Sequence, residues 1–123
     1  MDVERLYQQA DVFLFPSFRE PTGIVLFEAM RHGLPVITTD IGGPGHIVTD
    51  ECGIRVPARD PQQFASDLAA AVRRLATDAK TRRSLSAGAH KRVAEIGLWD
   101  RKIGRMIELY RSILEARQET VGA

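Results

Sequence analysis

Apolar positions fall in short continuous runs in the first half of the chain and at helical spacings in the second. Val12-Phe13-Leu14-Phe15 stops at Pro16, and residues 12–16 read as a parallel strand buried on both faces. A polar turn with Pro21 and Gly23 follows, then a helical pattern through Ile24, Phe27 and Met30. That pattern predicts a helix over 23–32, ending at Gly33, with Pro35 as the stop. Val36-Ile37-Thr38-Thr39, β-branched throughout, reads as a second strand. Gly53-Ile54-Arg55-Val56 reads as a third. Between these two lies the loop Gly42-Gly43-Pro44-Gly45, with one helical turn predicted at 45–49. Residues 2–9, ahead of the first strand, read as a short helix.

The rest is helical. Asp60-Pro61 pairs an N-cap with proline at the first helical position. Phe64, Leu68, Val72 and Leu75 then recur at helical spacing. Asp78 opens the next helix, with Leu85, Ala89, Val93 and Ile96 on one face and an end near Gly97. A last helix over about 99–117 carries Ile103, Met106, Ile107, Tyr110 and Leu114, with Trp99 and Tyr110 expected as core contacts. The tail after Glu119 is expected to fray. Strands alternating with helices imply parallel pairing, so the fold class is α/β with a Rossmann-like parallel sheet.

A length of 123 residues fits one modest domain. No apolar run approaches the ~20 residues that span a bilayer, and the N-terminus, MDVERLYQQAD, is too polar for a secretory signal. The single cysteine, Cys52, cannot form an internal disulfide; it reads as a small buried hydrophobe and fits a cytoplasmic setting. Without His/Cys clusters at zinc spacing, no metal is expected. The net charge of +1 hides an asymmetry: residues 1–54 hold 3 Lys/Arg and 8 Asp/Glu, residues 55–123 hold 14 and 8. The basic excess reads as solvated helix faces, or as contact with an anionic membrane surface or acceptor. Nucleic acid is not expected, because no aromatics interleave with the basic residues to stack bases.

The chemistry concentrates in residues 13–30. Glu20 and Glu28 are separated by seven residues, one in the turn and one in the helix. The helix N-terminus between them favours phosphate. Two carboxylates beside such an end suit a ligand carrying both phosphate and hydroxyls, such as a nucleotide sugar. Each residue also has an ordinary reading. Glu28 is otherwise a solvated helix-face glutamate, and Glu20 a loop carboxylate stabilising the dipole. Thr22 either caps the helix or touches the ligand. Ser17 is a turn residue or a phosphate contact. Gly42-Gly43, and more weakly Asp40, form a tight turn or a ligand loop. His32, at a helix C-terminus, takes a structural reading.

These residues resemble the donor-binding motif of retaining glycosyltransferases with the GT-B fold, the group often called family 4. The resemblance rests on two glutamates with seven residues between them and Gly23 before the helix. ADVFLFPS (10–17), EAMRHGLPVITTDIGG (28–43), GIRVPARDP (53–61) and the ending around Trp99 and Glu108-Leu109-Tyr110 add to it. It covers nearly the whole chain in order, more specific than one short motif. It implies a donor-binding fragment that serves transfer of a hexose from a nucleoside-diphosphate sugar to an acceptor hydroxyl, without cofactor or metal. Glu28 would accept ribose hydroxyls and Glu20 would act at the transferred sugar. Ser17, Pro21, Thr22, Gly23 and Ile24 would lie against the pyrophosphate and sugar. The common pattern has glycine and an aromatic where this chain has Pro21 and Thr22, and proline lacks an N–H donor. Proline there also occurs in the glycogen and starch synthase branch; the identity of the sugar stays open.

By the same resemblance, residues 1–123 supply the last three strands of a six-stranded doubly wound C-terminal domain. The other strands, the basic phosphate clamp and an N-terminal acceptor domain are expected outside them. Strand 12–16 would then be an exposed edge through which the chain self-associates, and the chain alone would be inactive. Peripheral membrane contact is an expectation for the intact enzyme. A glycosidase using the two carboxylates, a sugar-nucleotide epimerase, and a non-catalytic interaction module pairing through its sheet edge are the rival readings.

Overall fold

A computed structural model of the chain describes the backbone of residues 2–121 and side chains through Gln118. The elements are α1 (Val3–Gln9), β1 (Phe13–Phe15), α2 (Ile24–Arg31), β2 (Val36–Thr39), α3 (Gly42–Ile47), β3 (Gly53–Val56), α4 (Pro61–Thr77), α5 (Ala79–Arg92), a π-helical turn (Val93–Gly97) and α6 (Trp99–Val121). The chain divides into two units, residues 1–93 and 94–123.

Local chemistry sets several helix ends. Asp2, Asp60 and Asp78 each accept an N–H three residues on, from Arg5, Gln63 and Thr81, as N-caps do. Past the last turn of α2, Gly33 N–H donates to Met30 and Leu34 N–H to Ala29. This paired closure ends the helix and turns the chain into β2.

The sheet is parallel in the order β1-β2-β3, with Phe13 opposite Val36 and Val36 opposite Gly53. The central strand β2 is buried at every position. Its side chains alternate between two cores. Val36 packs with Leu26, Met30, Ile47, Val48, Cys52 and Ala89. Ile37, one residue on, packs with Val56, Phe64, Ala71, Leu75 and Leu85. A smaller cluster joins Tyr7 of α1 to Ala29 and Leu34. The buried hydroxyls of Thr38 and Thr39 donate to the carbonyls of Phe15 and Ser17, at 2.8 and 3.0 Å. These bonds satisfy two polar groups that would otherwise be costly to bury, and they tie the end of β2 to the chain leaving β1.

Several expectations are corrected. β1 covers three residues and is only partly buried, with Leu14 46% exposed, because an edge strand is covered on one side only. On α4 the buried set is Phe64, Ala71 and Leu75 with Leu68 beside them, and Val72 is exposed. Ala71 lies seven residues past Phe64 and shares its stripe, whereas Val72 is rotated off it. α3 begins at Gly42, ahead of the predicted 45–49. Its composition, GGPGHI, opposes helix formation, but Arg92 of α5 donates to the carbonyls of His46 and Ile47 and caps its end. α5 stops at Arg92, and the π-helical turn replaces its expected last turn. In the second unit, α6 stays helical to Val121, past the expected fraying point; residues 122–123 lie outside the described residues. Trp99 and Tyr110 are exposed rather than core residues.

Truncating a core position should separate the two faces of α4. Leu75→Ala is expected to destabilise the protein by ~2–5 kcal/mol, and Val72→Ala by less than ~1 kcal/mol, both measured by chemical denaturation. Equal costs would contradict the register described here.

Candidate functional site

The turn between β1 and α2, residues 16–23, is built around one carboxylate oxygen. Glu20 Oε1 accepts the Gly23 N–H at 2.7 Å, the Thr22 hydroxyl at 2.8 Å and the Thr22 N–H at 3.0 Å. Gly23 sits at φ 61°, in the left-handed region that favours glycine. The carboxylate thus closes the turn ahead of α2, while no side chain caps the helix itself. Thr22 braces that carboxylate and makes no cap bond of its own to the helix. These bonds favour the ionised form, Gly23 most strongly, and hold the Glu20 carboxyl below its ordinary value of 4.5.

Two further contacts seat the turn on the sheet. Thr39 at the end of β2 holds the Ser17 carbonyl. The N–H of Gly43, at the start of α3, donates to the Glu20 carbonyl at 3.3 Å. A side chain at residue 43 would put its Cβ 2.6 Å from the Pro21 carbonyl oxygen, so only glycine admits this approach. Residues 17–23 and 42–43 therefore come together beyond the carboxyl ends of β1 and β2, where open α/β sheets bind ligands. Ile24 opens α2 with its side chain 60% exposed.

Glu28 stands apart from this turn. It lies on the exposed side of α2, and its Oε2 accepts a hydrogen bond from the Tyr7 hydroxyl at 3.4 Å. Tyr7 is buried, stacked on His32 with ring centroids 5.4 Å apart and set edge-on to Phe13 at 5.8 Å. Burial foremost, then the charge of Glu28, pushes the phenol above its ordinary value, so it stays a donor. His32 in turn lies 3.2 Å from Glu4. Asp40 is exposed, and its carbonyl lies against Gly45.

Sequence reasoning missed Tyr7 and Thr39. The signals were present: Tyr7 is the one aromatic in a polar helix, and Thr39 ends a strand with no other polar face to serve. Glu28 is exposed and Glu20 half-buried. A concavity of about 360 Å³ lies away from them among Arg55, Arg74, Thr81 and Ser84, and one of about 330 Å³ borders the turn at Phe18, between it and Pro61 and Phe64. Among the described residues, no group of three His, Cys, Asp or Glu side chains could hold a metal ion. None of their helices is long and apolar enough to cross a membrane.

Comparison with known proteins places this site in context. A sequence profile described as "Glycosyl transferases group 1" matches residues 1–78. D-inositol 3-phosphate glycosyltransferase of Salinispora tropica is 34% identical over 110 residues, 89% of this chain and 22% of that protein. Sucrose-phosphate synthase from Thermosynechococcus elongatus superposes with a TM-score of 0.74 at 36% identity, covering 90% of this chain and 27% of that one. The C-terminal domain of a glycosyl transferase group 1 family protein from Francisella tularensis gives 0.63 at 27% identity, over 80% of this chain and 49% of that domain's chain. The chain spans about a fifth to a quarter of the length of the curated relatives it matches. The structural neighbours are GT-B glycosyltransferases.

The hydrogen-bonded carboxylate of the turn makes a pH prediction. The lowered Glu20 carboxyl contributes stability fully above about 4.5 and loses it as pH falls through the depressed folded value. Between roughly pH 5 and pH 3 the Tm of the wild type should drop further than that of Glu20→Gln. Superimposable Tm–pH curves would remove the Glu20 carboxylate from the hydrogen-bonded turn.

Proposed function

Since the chain belongs to the group 1 glycosyltransferases, we propose that it is the donor-binding part of a retaining, nucleotide-sugar-dependent glycosyltransferase. Residues 1–123 would be the donor side of a C-terminal domain, with the acceptor domain and the basic phosphate clamp supplied by other segments. The observation that carries the reading is the pair of glutamates on one strand–turn–helix, the first locked into the turn and the second on the open face of α2.

In this reading Glu28 accepts hydrogen bonds from the ribose hydroxyls. An ionised carboxylate is an acceptor only and can serve both hydroxyls of a vicinal diol. Glu20 spends Oε1 on the turn and directs Oε2 at the transferred hexose. Its negative charge there supports positive charge growing at the anomeric carbon. Gly23 and Ile24 line the approach to the pyrophosphate, Thr22 and Ser17 border it, and Pro21 shapes the turn while lacking a donor. In the transfer, the bond from the anomeric carbon to the diphosphate oxygen breaks. A bond to the acceptor oxygen forms on the same face, and the acceptor proton passes to the departing phosphate. No cofactor or metal is assigned to this step.

A second reading has its own observation. β1 is the edge of the sheet and Leu14 on it is 46% exposed, so a second copy could extend the sheet there. This would make the chain an interaction module. Light scattering that finds only monomer at tens of micromolar would sink it.

Calorimetric titration tests the donor reading. The chain is expected to bind a nucleoside diphosphate weakly, without turnover of the nucleotide sugar. Glu28→Gln should weaken that binding about tenfold, the scale of one hydrogen bond to a charged group. Equal affinity in both proteins would overturn the assignment of Glu28.

A further inference from the structure

We propose that Tyr7 is a positioning residue for Glu28, and that its hydroxyl sharpens the site's preference for a nucleotide with an intact ribose diol over the deoxy form. The inference rests on the donor reading above.

A glutamate on an exposed helix face samples many rotamers, and ordering it on binding costs conformational entropy. Glu28 has a tether. The Tyr7 hydroxyl reaches Oε2 at 3.4 Å across 21 residues of sequence, from α1 to α2. The ring bearing that hydroxyl is itself held. It is 9% exposed, lies near-parallel to His32 at 21°, and meets Phe13 edge-on at 68°. Glu4 holds the His32 ring in turn, with Oε1 3.2 Å from Nε2. Little of the phenol can move except the torsion of its O–H.

The chemistry is directional. A phenol is one donor, so it occupies one lone pair on Oε2. It leaves the Oε1 lone pairs and the second pair on Oε2, enough acceptors for two hydroxyls of a diol. The raised pKa of Tyr7 keeps its proton on the phenol across the physiological range. The role is separable from packing. The ring fills the cluster with Ala29 and Leu34, while the hydroxyl is what meets Glu28. Tyr7→Phe therefore keeps the packing and removes the tether.

The test titrates UDP, GDP and ADP, each beside its 2′-deoxy counterpart, into the full chain and into Tyr7→Phe, Glu28→Gln and the double variant. The wild type should favour the ribonucleotide by about tenfold. Glu28→Gln should abolish that preference. Tyr7→Phe should reduce it by ~2–5-fold with Tm within about 4 °C of wild type. In the Glu28→Gln background the second substitution should leave the ratio unchanged. If Tyr7→Phe weakens ribo- and deoxynucleotides equally, or leaves the ratio at the wild-type value while Glu28→Gln abolishes it, Tyr7 is structural and the inference fails alone. If Glu28→Gln leaves the ratio intact, or no diphosphate binds the wild type, the donor reading fails and takes this inference with it. Should Tyr7→Phe be poorly folded, coupling is read from replacement of Tyr7 by 4-fluorophenylalanine, which keeps the ring and fills the para position but has no O–H to donate. Its ratio should also fall, and an unchanged ratio counts against Tyr7.

Discussion

A single carboxylate oxygen, Glu20 Oε1, organises the region between β1 and α2. It gathers three donors within 3.0 Å. Without it the Thr22 and Gly23 N–H groups of the turn would look to solvent or ligand for acceptors. Because the turn is closed from inside, its outer backbone can be held by other elements. Gly43 approaches from α3 and Thr39 from β2. The carboxylate shapes the loop, and the sheet fixes where that loop stands.

The sheet does this with very little. β2 has four residues, all buried, and it serves both cores by simple alternation of its side chains. Its last two residues are threonines whose hydroxyls reach back to the β1 side. A strand of valines would pack comparably but would leave the Phe15 and Ser17 carbonyls without these donors. The polar end of an apolar strand thus joins the core to the candidate site.

Much of this was legible in the chain. The β-branched run at 36–39 and the segment at 53–56 became strands with the expected limits, since short buried strands carry a dense, unambiguous signal. The aspartate caps were legible because their mechanism is local. What sequence reading lost depends on distant contacts. Ala71 and Val72 differ by one residue of helical phase, and the bulkier side chain drew the assignment. α3 exists through a guanidinium more than forty residues away, which no local propensity encodes. The glutamate pair was visible from its spacing, but the pairing of Glu28 with Tyr7 needed α1 laid against α2. Membership of the glycosyltransferase family was the most legible property of all, because its pattern is spread over many segments, residues 1–78 in the family profile, rather than held in one short motif.

Cys52 packs in the core with no solvent exposure, and its Sγ lies 3.2 Å from the Thr49 N–H, at the entry to β3. It is the chain's one cysteine. A thiol-modifying reagent can reach it only when the segment leading into β3 parts from β2 and α5. The rate of alkylation is therefore a clock for opening of that part of the sheet. The chain carries, without any engineering, a single-site chemical probe of how often its central strand is uncovered.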